Sequence, residues 1–338
     1  MAGIVGYGVH IPRMRIRADD FRKAWGSFSA PGVTEKAVPD VDDDSLTMAV
    51  NAARSALASP SIDPARINIV ALASSALPYE TRFQVGTLVK ALGLPETCVG
   101  LQFAGSSKAG SEALISTLSL LNDKGGHGLV AAGDCRRSSI YNPLEHCFGA
   151  AGCAVVLGTQ DLIAEVAAST HFMDDIPGER FRPAGTDEMR DIEVKEYTEH
   201  YATRVIEGAA RRLLDVTGMR PGDFRFFAVT QIDGRSAPTV ARRLGLREDS
   251  TAFTNLAARL GDTGAAGALL ALAAALDCGK PGDWILLTSY GEGGGADALA
   301  IRVAAEVAEP RRSGLEASLG GGEYIDFIRY LKVRNRLR

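Results

Sequence analysis

Two stretches 156 residues apart follow one plan: AGSEALISTLSLLNDKGGHGLV (109–130) and AAGALLALAAALDCGKPGDWIL (265–286). In each, a helix rich in small residues and Leu is followed by a glycine-containing break and then an apolar strand. Ala109 falls over Ala265, Leu114 over Leu270 and Gly126 over Gly282. Small side chains let another backbone approach closely, which suits a helix covered on both sides. A repeated unit of this kind constrains the chain to a layered α/β fold with paired central helices.

The rest of the chain agrees. Helical and strand-like patterns alternate throughout, the signature of α/β architecture. DSLTMAVNAARSALAS (44–59) has helical spacing, INIVALASS (67–75) reads as a buried strand, and TRFQVGTLVKALGL (81–94) as a helix stopped at Gly93. HGLVAAGD and GCAVVLGT read as strands, and a new unit begins near residue 163. The polar, turn-rich stretch 173–196 reads as a connection between halves, which gives an N-terminal half at 1–165 and a C-terminal half at 166–338. YATRVIEGAARRLLDVTG (201–218) is an amphipathic helix. WILLTSYGEGGGADALAIRVAA (284–305) reads as two strands joined by a loop with four glycines between Gly291 and Gly295. That loop lies between strands, so it does not fit the dinucleotide fingerprint, whose glycines join a strand to a helix.

Composition excludes several function classes. With 338 residues, 46% of them hydrophobic, the chain has material for a large core. A formal net charge of −4 argues against nucleic acid as a partner. No apolar run is long enough to span a membrane, and the opening MAGIVGYGVHIPRM lacks the pattern of a signal peptide. The five cysteines, Cys98, Cys135, Cys147, Cys153 and Cys278, have no metal-binding spacing and read as free thiols in a cytoplasmic protein.

The chemistry-bearing junction is GLQFAGSSKAGSEAL (100–114), where a strand runs through small residues into the first central helix. Ser107, or its neighbour Ser106, stands where a nucleophile would be held. A serine needs an adjacent base, and none of His10, His127, His146, His171 and His200 falls on a stretch expected to face it. Cys135 and Cys153 read as packing residues, and so do Tyr79 and Tyr290. His146 and Cys147 are read as strand neighbours facing opposite sides. Arg136 and Arg137 are expected to face water.

GIVGYGVHIPRMRI, EKAVPDVDDDSLTMAVNAAR, KPGDWILLTSYGEGGGADALAIRV and EYIDFIRYLKVRNRL together resemble the thiolase superfamily, in its 3-hydroxy-3-methylglutaryl-CoA synthase and ketosynthase III branch of archaeal type. The resemblance implies a thiolase fold: duplicated α/β/α/β/α layers, with two pseudo-symmetric halves around buried central helices. It also implies a coenzyme A thioester as candidate substrate, no covalently bound cofactor, and a homodimer or pseudo-dimer. In that family a cysteine at a helix N-terminus is acylated, a histidine and an asparagine hold oxygens, and a glutamate moves a proton. Carried over by local motif, the cysteine falls on Ser107, the glutamate on Ser75, the histidine on Thr230 and the asparagine on Asp262. All four depart from the pattern, and a carboxylate at 262 would oppose a developing oxyanion.

QFAG before the helix and GDTG at 261–264 also resemble the synthase-like subunit of the multicomponent phloroglucinol acyltransferase. The expectation that follows is a catalytically degenerate subunit of an acyl-CoA-dependent complex. Its chemistry would take place on the cysteine of a thiolase-like partner, joined through an OB-fold and zinc-ribbon protein. The alternative is a free-standing condensing, retro-condensing or hydrolytic enzyme of altered mechanism that uses Ser107 or Asp262. A scaffold that binds no coenzyme A is a third reading.

Overall fold

The computed structural model describes residues 2–124, 126–175, 180–191, 202–305 and 314–335. His200 and part of the 173–196 connection lie outside them.

The first half opens with β1 (Gly3–His10), β2 (Met14–Arg17), α1 (Ala18–Trp25) and β3 (Glu35–Val38). The next helix, α2 (Ser45–Leu57), starts where Asp44 and Thr47 cap each other's backbone N–H groups, a capping box worth about 1 kcal/mol. It is followed by β4 (Ile67–Ser74), α3 (Val85–Leu92), β5 (Val99–Ala104), α4 (Ala109–Lys124), β6 (His127–Asp134), β7 (Arg137–Ser138), α5 (Pro143–Cys147) and β8 (Ala151–Gly158). Then come β9 (Ala164–Met173), which spans the expected boundary at 165/166, β10 (Glu188–Met189), α6 (Thr203–Thr217), β11 (Phe224–Val229), α7 (Ser236–Leu244), the short α8 (Ala257–Leu260), α9 (Gly267–Cys278), β12 (Trp284–Thr288) and β13 (Gly295–Val303). A tail of α10 (Leu315–Gly320), β14 (Glu323–Tyr324) and α11 (Phe327–Val333) ends the chain.

Nine strands form one mixed sheet in the order β11-β12-β13-β9-β1-β8-β6-β4-β5. The two sides of the β1/β9 junction repeat one pattern. From β1 outward the pairings to β8, β6 and β4 are antiparallel, antiparallel and parallel. From β9 outward those to β13, β12 and β11 are the same. The junction is narrow, with Gly3 opposite Glu165 and Ile4 opposite Ala164. The sequence echo thus falls on equivalent pairs, α4 with β6 and α9 with β12.

Helix α4 packs on β4, β5 and β6, α9 packs on strands of both halves, and the two helices touch each other. On the outer faces α2 covers β1, β6 and β8, while α6 covers β9 and β13. The layers are therefore α/β/α/β/α. Small residues are needed at the centre: a Cβ at Gly110 would overlap the carbonyl oxygen of Ala265. Burial of this α9 is complete along Ala268–Leu276, which explains why its sequence is apolar on every side.

The tail turns back to the first half, where β14 pairs parallel with β2. Phe327 and Tyr330 join Phe21, Met14 and Val38 in a small satellite core. No helix among the described residues is long and apolar enough to cross a membrane.

Candidate active site

Ser107 lies two residues before the first residue of α4 and is buried. Ser106 is engaged in the turn that leads into the helix, its Oγ accepting from the Lys108 N–H at 3.2 Å and its carbonyl from the Ala109 N–H at 3.1 Å. The two candidates are thus separated: Ser107 faces the interior cluster and Ser106 serves the helix.

The Ser107 hydroxyl has two charged partners. Its Oγ donates to Glu292 Oε1 at 2.8 Å and accepts from Arg136 Nη1 at 3.0 Å. The Ser107 N–H donates to Glu292 Oε2 at 2.7 Å, and Arg136 Nη1 also donates to Glu292 Oε1 at 2.9 Å. This corrects the expectation that no basic group faces Ser107: a carboxylate, carried on the β12–β13 hairpin, accepts the hydrogen bond of its hydroxyl. The hairpin lies close, because a Cβ at Gly291 would collide with Ser106 Oγ and with the Lys108 side chain.

Arg136 is also the link to Asp262. Its Nη2 donates to Asp262 Oδ1, and Arg180 Nη1 donates to Asp262 Oδ2 at 2.7 Å. The Gly264 N–H adds a third bond to Asp262 at 3.0 Å. Both guanidinium groups stand over the Phe148 ring, Arg136 at 4.6 Å and Arg180 at 5.4 Å from its centroid. Burial alone would lower the pKa of Arg136, but Asp262, Glu292 and Asp134 together raise it, so the guanidinium stays charged. The expectation that Arg136 faces water is therefore corrected, since it is 2% exposed. A charge removed from water this far requires paired carboxylates, and two supply them. Arg137 remains near the surface, 3.4 Å from Asp187. The two arginines also change the electrostatics at position 262, because they offset the carboxylate that would otherwise oppose an oxyanion.

Ser75 joins the cluster from the end of β4. Its Oγ donates to Asp134 Oδ2 at 2.7 Å, and Ser74 Oγ donates to Asp134 Oδ1 at 2.9 Å. The Ala265 N–H, one residue after the Gly264 N–H that serves Asp262, donates to the same Asp134 at 2.7 Å. Burial pushes the Asp134 carboxyl above its usual range. Thr230 is buried at the end of β11, where its Oγ1 accepts from the Tyr290 N–H at 3.4 Å. Its side chain therefore meets the backbone of the hairpin that carries Glu292, two residues before that carboxylate. Ser107 and Asp262 are tied by one arginine, Ser75 is tied by Asp134, and Thr230 stands at the margin.

The other candidates have structural roles. Cys147 and Cys153 are buried and their thiols are held up by burial, Cys147 to about 12. His146 lies on α5, not on a strand. It accepts from the Ser29 N–H at 2.9 Å and stacks on Phe28, and burial lowers its pKa to about 4. Tyr290 is core, whereas Tyr79 is exposed, which corrects its reading as a packing residue. Among the described residues, no group of three or more His, Cys, Asp or Glu side chains is placed to hold a metal.

A groove of about 470 Å³ opens near the cluster, lined in part by Arg22, Phe28, Pro31, Thr34 and Arg235. Beneath it Ala30 and Val33 pack on Cys147, whose carbonyl accepts the Asp262 N–H at 2.7 Å.

Residues 214–303 match the family model for the 3-oxoacyl-[acyl-carrier-protein] synthase III C terminal. A hydroxymethylglutaryl-CoA synthase of Pyrobaculum aerophilum is 31% identical over 345 residues, covering 99% of this chain and 98% of the relative. The protein of that name from Methanothermobacter thermautotrophicus is 32% identical over 350 residues, with 100% and 99% covered. MvaS solved with 3-hydroxy-3-methylglutaryl coenzyme A superposes with a TM-score of 0.87 at 20% identity, over 100% of this chain and 92% of that one. The HMG synthase of the curacin biosynthetic pathway, solved with an acetyl donor-ACP, gives 0.85 at 19% identity, over 98% and 88%. The thiolase fold expected from sequence is thus the fold found. The expectation of a catalytically degenerate auxiliary subunit is corrected: the relatives match from end to end and carry the name of a synthase.

Proposed function

The chain belongs to the hydroxymethylglutaryl-CoA synthase family, and from that membership we propose that it is an acyl-CoA-processing enzyme of altered mechanism, with Ser107 as its acyl acceptor. The observation that carries this reading is the Ser107 hydroxyl held between the Glu292 carboxylate and the Arg136 guanidinium at the start of α4. Ser107 Oγ attacks the thioester carbonyl and its proton passes to Glu292. Arg136 and the helix N-terminus stabilise the negative charge that develops on oxygen. The carbon–sulfur bond breaks, the coenzyme A thiolate leaves and takes the proton from Glu292, and the acyl group remains as an ester on Ser107. A carbon nucleophile or water then attacks the ester carbonyl and frees the serine.

Related folds solved with 3-hydroxy-3-methylglutaryl coenzyme A, with coenzyme A and with an acyl carrier protein support a pantetheine thioester as donor. The groove with Arg22 and Arg235 at its rim suits the anionic end of such a donor. The hydroxymethylglutaryl group of the relatives' name divides into a two-carbon donor and a four-carbon keto acceptor, so acetyl-CoA with acetoacetyl-CoA is the pair to try first. We further read two halves, 1–165 and 166–338, and a cytoplasmic protein with free thiols. We also read a homodimer through β5, an edge strand carrying half-buried Val99, Leu101 and Phe103.

The test is release of free coenzyme A thiol, with products separated by mass. Thiol release that disappears in S107A supports the reading. Release that persists in S107A, or none from any acyl-CoA, contradicts it.

A further inference from the structure

Arg136 does not hold its place unaided. Its carbonyl oxygen accepts from Arg334 Nη2 at 2.7 Å, across 198 residues of sequence. Arg334 follows the last turn of α11, in the C-terminal tail, and is 3% exposed. The same guanidinium grips Glu145, with Nε on Oε1 at 2.9 Å and Nη2 on Oε2 at 3.0 Å. Glu145 in turn accepts the Ser138 N–H at 2.8 Å and the Tyr330 hydroxyl. The backbone on both sides of Arg137 is therefore fixed by one buried pair: the carbonyl before it by Arg334, the N–H after it by Glu145. This fixed backbone, where the chain enters β7, places the Arg136 side chain against Ser107, Glu292 and Asp262.

We infer that Arg334 is a positioning residue, through which the docked C-terminal tail sets the Arg136 guanidinium on the Ser107 hydroxyl. A bidentate guanidinium that also reaches a carbonyl uses the fixed fork of arginine; a lysine at 334 can neutralise Glu145 but offers no such fork. This inference rests on the proposed role of Ser107 only for its effect on rate. The placement of Arg136 is measured separately.

The experiment uses the full-length protein with labelled arginine, following the Nε–Hε resonance of Arg136, assigned by its loss in R136K. In R334K and R334A the Arg136 resonance shifts or broadens, and Ser107 acylation slows about 100-fold, the scale of a small misplacement. R334K keeps its melting temperature within a few degrees. Free guanidinium ion restores both signals in R334A, as it fills the space left by the side chain. An Arg136 resonance unchanged in both variants overturns the inference, and so does a change in R334A that guanidinium does not reverse. If the unmodified protein acylates nothing, the reading of Ser107 falls, and the Arg136 resonance alone decides the positioning role.

Discussion

At Ser107 the hydroxyl has a carboxylate on one side and a guanidinium on the other, and both are buried with it. Glu292→Gln keeps the shape and removes the base, so acylation of Ser107 should fall about 10²- to 10⁴-fold, measured as a single-turnover rate. A rate within a few-fold of the unmodified protein would assign the proton to another group. Asp262 has a different task, as it neutralises two buried guanidinium groups. Asp262→Ala should cost about 3–5 kcal/mol, because it leaves uncompensated buried charge, as read by denaturant unfolding. The serine was legible in sequence because it stands where a strand meets a small-residue helix. Glu292 was not, since it is 185 residues from Ser107 and sits in a loop that reads as an ordinary hairpin. A single carboxylate among four glycines was the available signal. Arg136 was misplaced because an arginine past a strand end reads as solvated; only partners distant in sequence make its burial tolerable.

At the scale of elements, the central helices and the edge strand carry the account. Helix α4 meets the start of the α9 segment at Gly110, where no side chain fits against Ala265. Gly110→Val should destabilise the protein by about 1–3 kcal/mol through overpacking, seen as a lower melting temperature. The echo between 109–130 and 265–286 was legible because both helices obey this same steric demand. The satellite core under the tail was less so: residues 323–335 pack on β2 and α1, and nothing in local periodicity says which half a short terminal helix joins. Among the described residues strand β5 has one neighbour, β4. With Phe83 lying across Gly100 and half-buried Leu101 beside it, that edge is apolar. The proposed homodimer predicts a dimeric mass by light scattering that Leu101→Asp lowers to a monomer's; a dimeric mass kept in the variant would remove β5 from the interface, and a monomeric unmodified protein would overturn the dimer.

Across the whole molecule, buried ion pairs join the tail, the first half and the hairpin of the second half. Lys36 is buried beside the Glu145–Arg334 pair, with its Nζ donating to the Glu145 carbonyl oxygen and the Tyr330 hydroxyl. Burial lowers its pKa to about 7, with Glu145 raising and Arg334 lowering it, and it also faces Cys147, Tyr330 and Phe21. Its ordinary pKa is 10.5. Between these values the unfolded chain binds a proton that the folded chain does not. Stability should therefore rise with pH from about 7 toward 10, and Lys36→Met should flatten that rise. A slope unchanged in the variant would assign the titration elsewhere.

The central claim, that Ser107 accepts an acyl group, is tested most directly by intact-protein mass spectrometry after brief incubation with acetyl-CoA, followed by peptide mapping. One acetyl group per chain on the peptide carrying Ser107, absent in S107A, is the result predicted. An unmodified chain, or an adduct mapped to a cysteine and kept in S107A, would contradict it.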